Sequence, residues 1–130
     1  MSQLHFQPLQ GMELDIIDAI LQTKEVVALD NCQSAIRLVT EELVVNIADY
    51  AGSDYLDVET ELDKEKITLR FRDGGVPFNP LDMEPPDTSL SLDEREIGGL
   101  GIFFVINHMD KVEYEYKNGE NILTVSKKLK

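Results

Sequence analysis

The sequence predicts an α+β fold, a two-layer sandwich in which helices cover one face of a mixed, mainly antiparallel sheet. Three observations carry this. Two segments in the first fifty residues place apolar side chains at helical spacing; two later pairs of segments alternate apolar and polar residues; and each pair is joined by a short polar turn. Strands joined by tight turns run antiparallel, which excludes a doubly wound parallel sheet. A chain of 130 residues with 42% hydrophobic content suits one domain, 1–130, built around one substantial core.

The elements follow in order. After a short extended N-terminus that offers a further strand, GMELDIIDAILQ at 11–22 carries Leu14, Ile17 and Leu21 at helical spacing. Asp30 or Asn31 can cap a second helix running to about Tyr50, with the core stripe Ile36, Val39, Leu43, Ile47 and Tyr50. From residue 55 the period changes to two. LDVETEL and ITLRFRD, joined by DKEK, read as a hairpin. Residues 74–97 hold four of the five prolines and many acidic residues, a length that suits a lid or binding loop, placed at about 82–97. GGLG then opens a third helix to about Met109, and VEYEYK and NILTVSKKL form a second hairpin around Asn118-Gly119.

Charge narrows the function. With 25 acidic against 12 basic residues the net charge is −13, and the basic cluster is confined to Lys127, Lys128 and Lys130. Nucleic acid and anionic membrane surfaces are excluded as partners, because neutralising phosphates takes a positive face. An anionic ligand would have to be held by backbone N–H groups, a helix dipole and a metal cation. Cys32 is the one cysteine, so no internal disulfide forms. MSQLHFQPLQ lacks a cationic stretch followed by an apolar one, and the expected location is cytoplasmic. His5 and His108 have no metal-ligand spacing.

Three constellations carry chemistry. Glu42 and Asn46 stand four apart at the border of the apolar stripe, where a carboxylate could act as base and a carboxamide as a neutral cation ligand; the same spacing also describes a solvated helix flank. In RDGGVPFNP, Asp73 follows a strand and suits an exocyclic amine as acceptor, although D-G followed by proline also describes a plain turn, with Phe78 as core. Gly98, Gly99 and Gly101 open the third helix, where free first-turn N–H groups can meet phosphate without Cβ obstruction; a hinge closing a loop uses glycine equally well.

The order and separation of these motifs resemble the N, G1 and G2 boxes of the gyrase and histidine-kinase ATPase superfamily, which has the Bergerat fold. The likeness covers about 36–130. Within that superfamily the short length, the PFNP extension and NHMDKVEYEY look most like the anti-sigma-factor serine/threonine kinases of bacterial stress-response and sporulation switches. The resemblance implies ATP and Mg2+ as cofactors. It implies Glu42 as general base, Asn46 as magnesium ligand and Asp73 as acceptor of the adenine amine, with Gly75 giving close approach. It further implies Gly98, Gly99, Leu100 and Gly101 around the phosphates, and Thr124 as a last-strand hydroxyl near adenine. Tyr50 stands where family members often have histidine. The chain carries no phosphoacceptor-histidine helix pair and is too short for a gyrase-type ATPase with its transducer domain.

The function implied is an ATP-dependent serine/threonine kinase acting as an anti-sigma factor, which phosphorylates a STAS-type anti-anti-sigma protein and sequesters a sigma factor or similar regulator, often as a homodimer. The alternative is a non-catalytic ATP/ADP-gated protein-binding module of the same fold. A plain interaction domain without nucleotide requires three coincidental motifs in the right order.

Overall fold

The structure is a computed structural model that describes residues 1–79 and 105–129. Five strands form one sheet in the order β1 (Ser2–Phe6), β2 (Leu56–Leu62), β3 (Lys66–Asp73), β5 (Glu120–Lys128), β4 (Lys111–Lys117). All four pairings are antiparallel. Helices α1 (Glu13–Leu21), α2 (Lys24–Val27) and α3 (Gln33–Asn46) precede β2, and residues 105–108 are helical. The expected lid and the run Gly98, Gly99, Leu100 and Gly101 lie outside the described residues.

Alternation explains how the sheet meets the helices. Val58 on β2, Leu69 and Phe71 on β3, and Leu123 and Val125 on β5 are buried, while the residues between them point to the other face. Against them pack Ile16, Ile17 and Ile20 of α1 and Ile36, Val39, Leu43 and Val44 of α3. Fully burying one such side chain is worth about 1.5–3 kcal/mol, so this layer is the main source of stability. The second hairpin turns at Asn118 and Gly119, both in the left-handed region at φ 55 and 79, as a tight two-residue turn demands.

Three expectations on the helices change. Neither Asp30 nor Asn31 caps α3. Its N-cap is Cys32, at φ 56 and without a side-chain cap bond, while Asn31 Nδ2 donates to the Leu129 carbonyl at 3.1 Å. The segment α2 falls between the two expected helices and is too short to show a period. The α-helical stripe also ends early. After Asn46 the backbone continues as a π-helix, Ile47–Ala51, whose wider turn shifts the phase. Ala51 therefore takes the buried position that α-helical counting assigns to Tyr50, and Tyr50 is 53% exposed.

Candidate nucleotide site

At one end of the sheet the core phase of two neighbouring strands ends in polar residues. Counting by two along β3, Leu69 and Phe71 lead to Asp73; counting back along β5, Val125 and Leu123 lead to Asn121. Asp73 and Asn121 are register partners and both are buried on the helix side of the sheet. A pocket opens there. Leu43, Ile47, Ala51, Phe78 and Leu123 form its apolar wall, and Asn46, Asp73, Tyr114 and Asn121 are its polar groups.

Asp73 is held at one oxygen. Its Oδ1 accepts the Gly75 N–H at 2.9 Å and Asn121 Nδ2–H at 3.0 Å, leaving Oδ2 outside both bonds. Burial pushes its carboxyl above the usual carboxylate range, and the Glu120 charge adds to this, whereas the two N–H donors oppose it. An acceptor of this kind, in an apolar pocket, matches a ligand that brings its own donor.

Asn46 enters from the last α-helical turn, immediately before the π-helix. It is 4% exposed, and its Nδ2 has no hydrogen-bond partner among the described residues. A buried amide in that condition is incomplete without something outside the described residues to meet it. Glu42 stands one turn earlier on α3, half-buried and outside the pocket lining. Burial, and then the Glu41 charge, push its carboxyl up. Among the described residues no cluster of His, Cys, Asp or Glu forms a metal cage by itself.

Gly75 has a reason in the fold. A Cβ there would lie 1.9 Å from the Ala51 carbonyl oxygen, the same oxygen that accepts the Val76 N–H at 3.0 Å. The glycine thus lets the exit of β3 pass against the end of the π-helix. The other motif residues divide. Phe78, expected as core, is half-buried, lines the pocket and stacks on Tyr50 with ring centroids 6.1 Å apart.

Thr124 does not belong to this pocket. It lies one residue out of phase with Leu123 and Val125, so its side chain stands on the sheet face opposite the helices, where its hydroxyl accepts from Arg70 Nε at 3.3 Å. Asn121 is the last-strand residue that reaches Asp73. The signal for it was in the sequence: NILTV places an amide, not a hydroxyl, in the core phase of that strand.

Comparison with known proteins fits this arrangement. A protein-family model described as the histidine kinase-like ATPase domain matches residues 14–127. The serine/threonine-protein kinase BtrW of Bordetella bronchiseptica is 22% identical over 117 residues, covering 84% of this chain and 82% of that protein. The Acinetobacter baumannii histidine kinase AdeS has a similar fold, with a TM-score of 0.59 at 14% identity over 99% of this chain and 68% of that one. The catalytic domain of the histidine kinase ThkA has a TM-score of 0.51 at 15% identity, over 98% and 97%. Among the described residues no helix is long and apolar enough to cross a membrane. Because the family match runs from α1 through β5 and takes in Asn46, Asp73 and Asn121, the chain belongs to the histidine kinase-like ATPase domain family.

Proposed function

We propose that this protein is a Mg-ATP-dependent serine/threonine kinase that acts as an anti-sigma factor, phosphorylating a STAS-type antagonist and sequestering a sigma factor or similar regulator. The observation that carries the nucleotide part is the placement, in one apolar pocket, of the Asp73 carboxylate, held at Oδ1 alone by Gly75 and Asn121, and the Asn46 amide, whose Nδ2 has no partner among the described residues. The similarity to a relative named a serine/threonine-protein kinase supports the phosphotransfer part.

In this reading Asp73 accepts the exocyclic amine of adenine, and the apolar wall excludes water from the base. Asn46 fits a hard cation through its carboxamide oxygen, which is a neutral ligand, and its Nδ2–H, without a partner among the described residues, remains to donate to an acceptor on the ligand. Magnesium, when bound there, supplies neutralising charge at the phosphates. The backbone N–H groups of Gly98, Gly99, Leu100 and Gly101 hold phosphate oxygens in place of the basic side chains that a −13 protein lacks. Glu42 takes the proton of the attacking hydroxyl; its upward-shifted carboxyl brings it nearer the range of a base that works at neutral pH.

One observation favours the second reading, a nucleotide-gated binding module without phosphotransfer: Glu42 lies outside the pocket lining. Calorimetric titration of ATP and ADP, with and without magnesium, tests the shared pocket. Wild-type protein is expected to bind, with the affinity lost in Asp73→Asn. Transfer of label from γ-labelled ATP to a purified STAS-type partner, abolished in Glu42→Gln, then separates kinase from module. Binding without transfer would leave the module reading in its place.

A further inference from the structure

Asn121 is buried in the pocket, yet all of its hydrogen-bonding capacity is spent inside the protein. Nδ2 donates to Asp73 Oδ1 at 3.0 Å and to the Val76 carbonyl at 2.8 Å, while Oδ1 accepts the Phe78 N–H at 2.9 Å and the Tyr114 hydroxyl. An amide has two donor hydrogens and one oxygen with two lone pairs, so nothing is left over for a ligand. The two backbone partners also fix which way the amide points. The Val76 carbonyl can only accept and the Phe78 N–H can only donate, so the side facing Asp73 must be the N–H side.

We infer that Asn121 is a positioning residue that determines base specificity, by keeping Asp73 an acceptor so that the pocket selects a 6-aminopurine nucleotide over a 6-oxopurine one. The inference rests on the nucleotide reading above. Asp73 is desolvated, and its surroundings favour its neutral form: Glu120 on β5, itself hydrogen-bonded by Tyr55 at 2.7 Å, adds negative charge, and Tyr114, Asn46 and Asn121 bring none to offset it. A protonated Asp73 could donate to a 6-oxo group, and the preference for an amine would be lost. The Asn121 N–H and the Gly75 N–H are the two donors that hold the carboxylate ionised.

The test is calorimetric titration of Mg-ATP and Mg-ITP into wild type, Asn121→Leu and Asn121→Asp, with thermal melts to confirm folding. ITP carries a 6-oxo group in place of the amine. Wild type is expected to prefer ATP, and in Asn121→Leu that preference should narrow by on the order of tenfold, the scale of one hydrogen bond to a charged group. Asn121→Asp sets two carboxyls against each other, and these can share one proton. Its preference for ATP over ITP should therefore be narrow while the pair holds that proton and widen as pH rises through its loss, over a range where the wild-type ratio is flat, and this arm decides the matter if Asn121→Leu does not fold. A folded Asn121→Leu that binds both nucleotides more weakly but keeps the wild-type ratio would overturn the inference alone, as would a flat pH profile in Asn121→Asp. Wild type that binds neither nucleotide would overturn the nucleotide reading, and the inference with it.

Discussion

The backbone at Gly75 passes so close to Ala51 that a single added carbon would sit 1.9 Å from the Ala51 carbonyl oxygen. That contact locks the end of the π-helix to the exit of β3, and so sets the relation between Asn46 on one element and Asp73 on the other. Gly75→Ala forces the two apart. Overpacking of this kind costs about 1–3 kcal/mol, which in a domain of this size lowers the melting temperature by roughly 5–15 °C. A melt of the variant checks this, and an unchanged midpoint would show that the contact constrains nothing.

Asn46 lends itself to separating stability from binding. Replacing a buried amide whose Nδ2 has no partner among the described residues by an apolar group of similar shape removes a desolvation penalty without breaking a described Nδ2 bond. Asn46→Leu should therefore melt within about 2 °C of wild type, or above it, on the scale of one net hydrogen bond. Magnesium-dependent ATP affinity should meanwhile fall by about tenfold or more. A large loss of stability would mean that the amide is satisfied by residues beyond those described, and that its role is architectural.

Thr124→Val checks the assignment of sheet faces. The hydroxyl's one described bond is to Arg70 on the face away from the helices, and valine is a good strand former. Stability should change by less than about 0.5 kcal/mol, and ATP affinity not at all. Weakened binding would bring the open face of the sheet into the nucleotide site.

Glu25 tests the fold at a distance from the pocket. It is buried on α2, where desolvation alone would raise its carboxyl; hydrogen bonds from Ser2, its own backbone N–H, the Met1 ammonium and Thr60 overcome this and hold it at about 2. A carboxyl whose folded value is depressed contributes stability above its unfolded value of 4.5, and that contribution is lost as pH falls toward 2. Urea midpoints of Glu25→Gln and wild type should thus differ most at pH 7 and converge between pH 4.5 and 2. A gap that stays constant with pH would assign the loss to packing.

Local pattern was enough for much of this protein. Period-two alternation identified the strands of both hairpins, the Asn118-Gly119 dipeptide identified one turn, and the stripe Ile36, Val39 and Leu43 identified the buried face of α3. Such features depend on neighbours a few residues apart, so the sequence by itself determined them. The family was legible too, because its motifs are ordered along the chain.

What tertiary structure decided involves residues far apart. Whether Tyr50 or Ala51 turns inward depends on a π-helical turn held by Val76, twenty-five residues on, so no helical count could reach it. The choice between Thr124 and Asn121 depends on which face of β5 meets α3, and the bonds of Asn121 run to β3, β4 and the 76–78 segment. The strands were written in the order of residues; the pocket came from their register, because only pairing sets Asp73 beside Asn121 across forty-eight positions of chain.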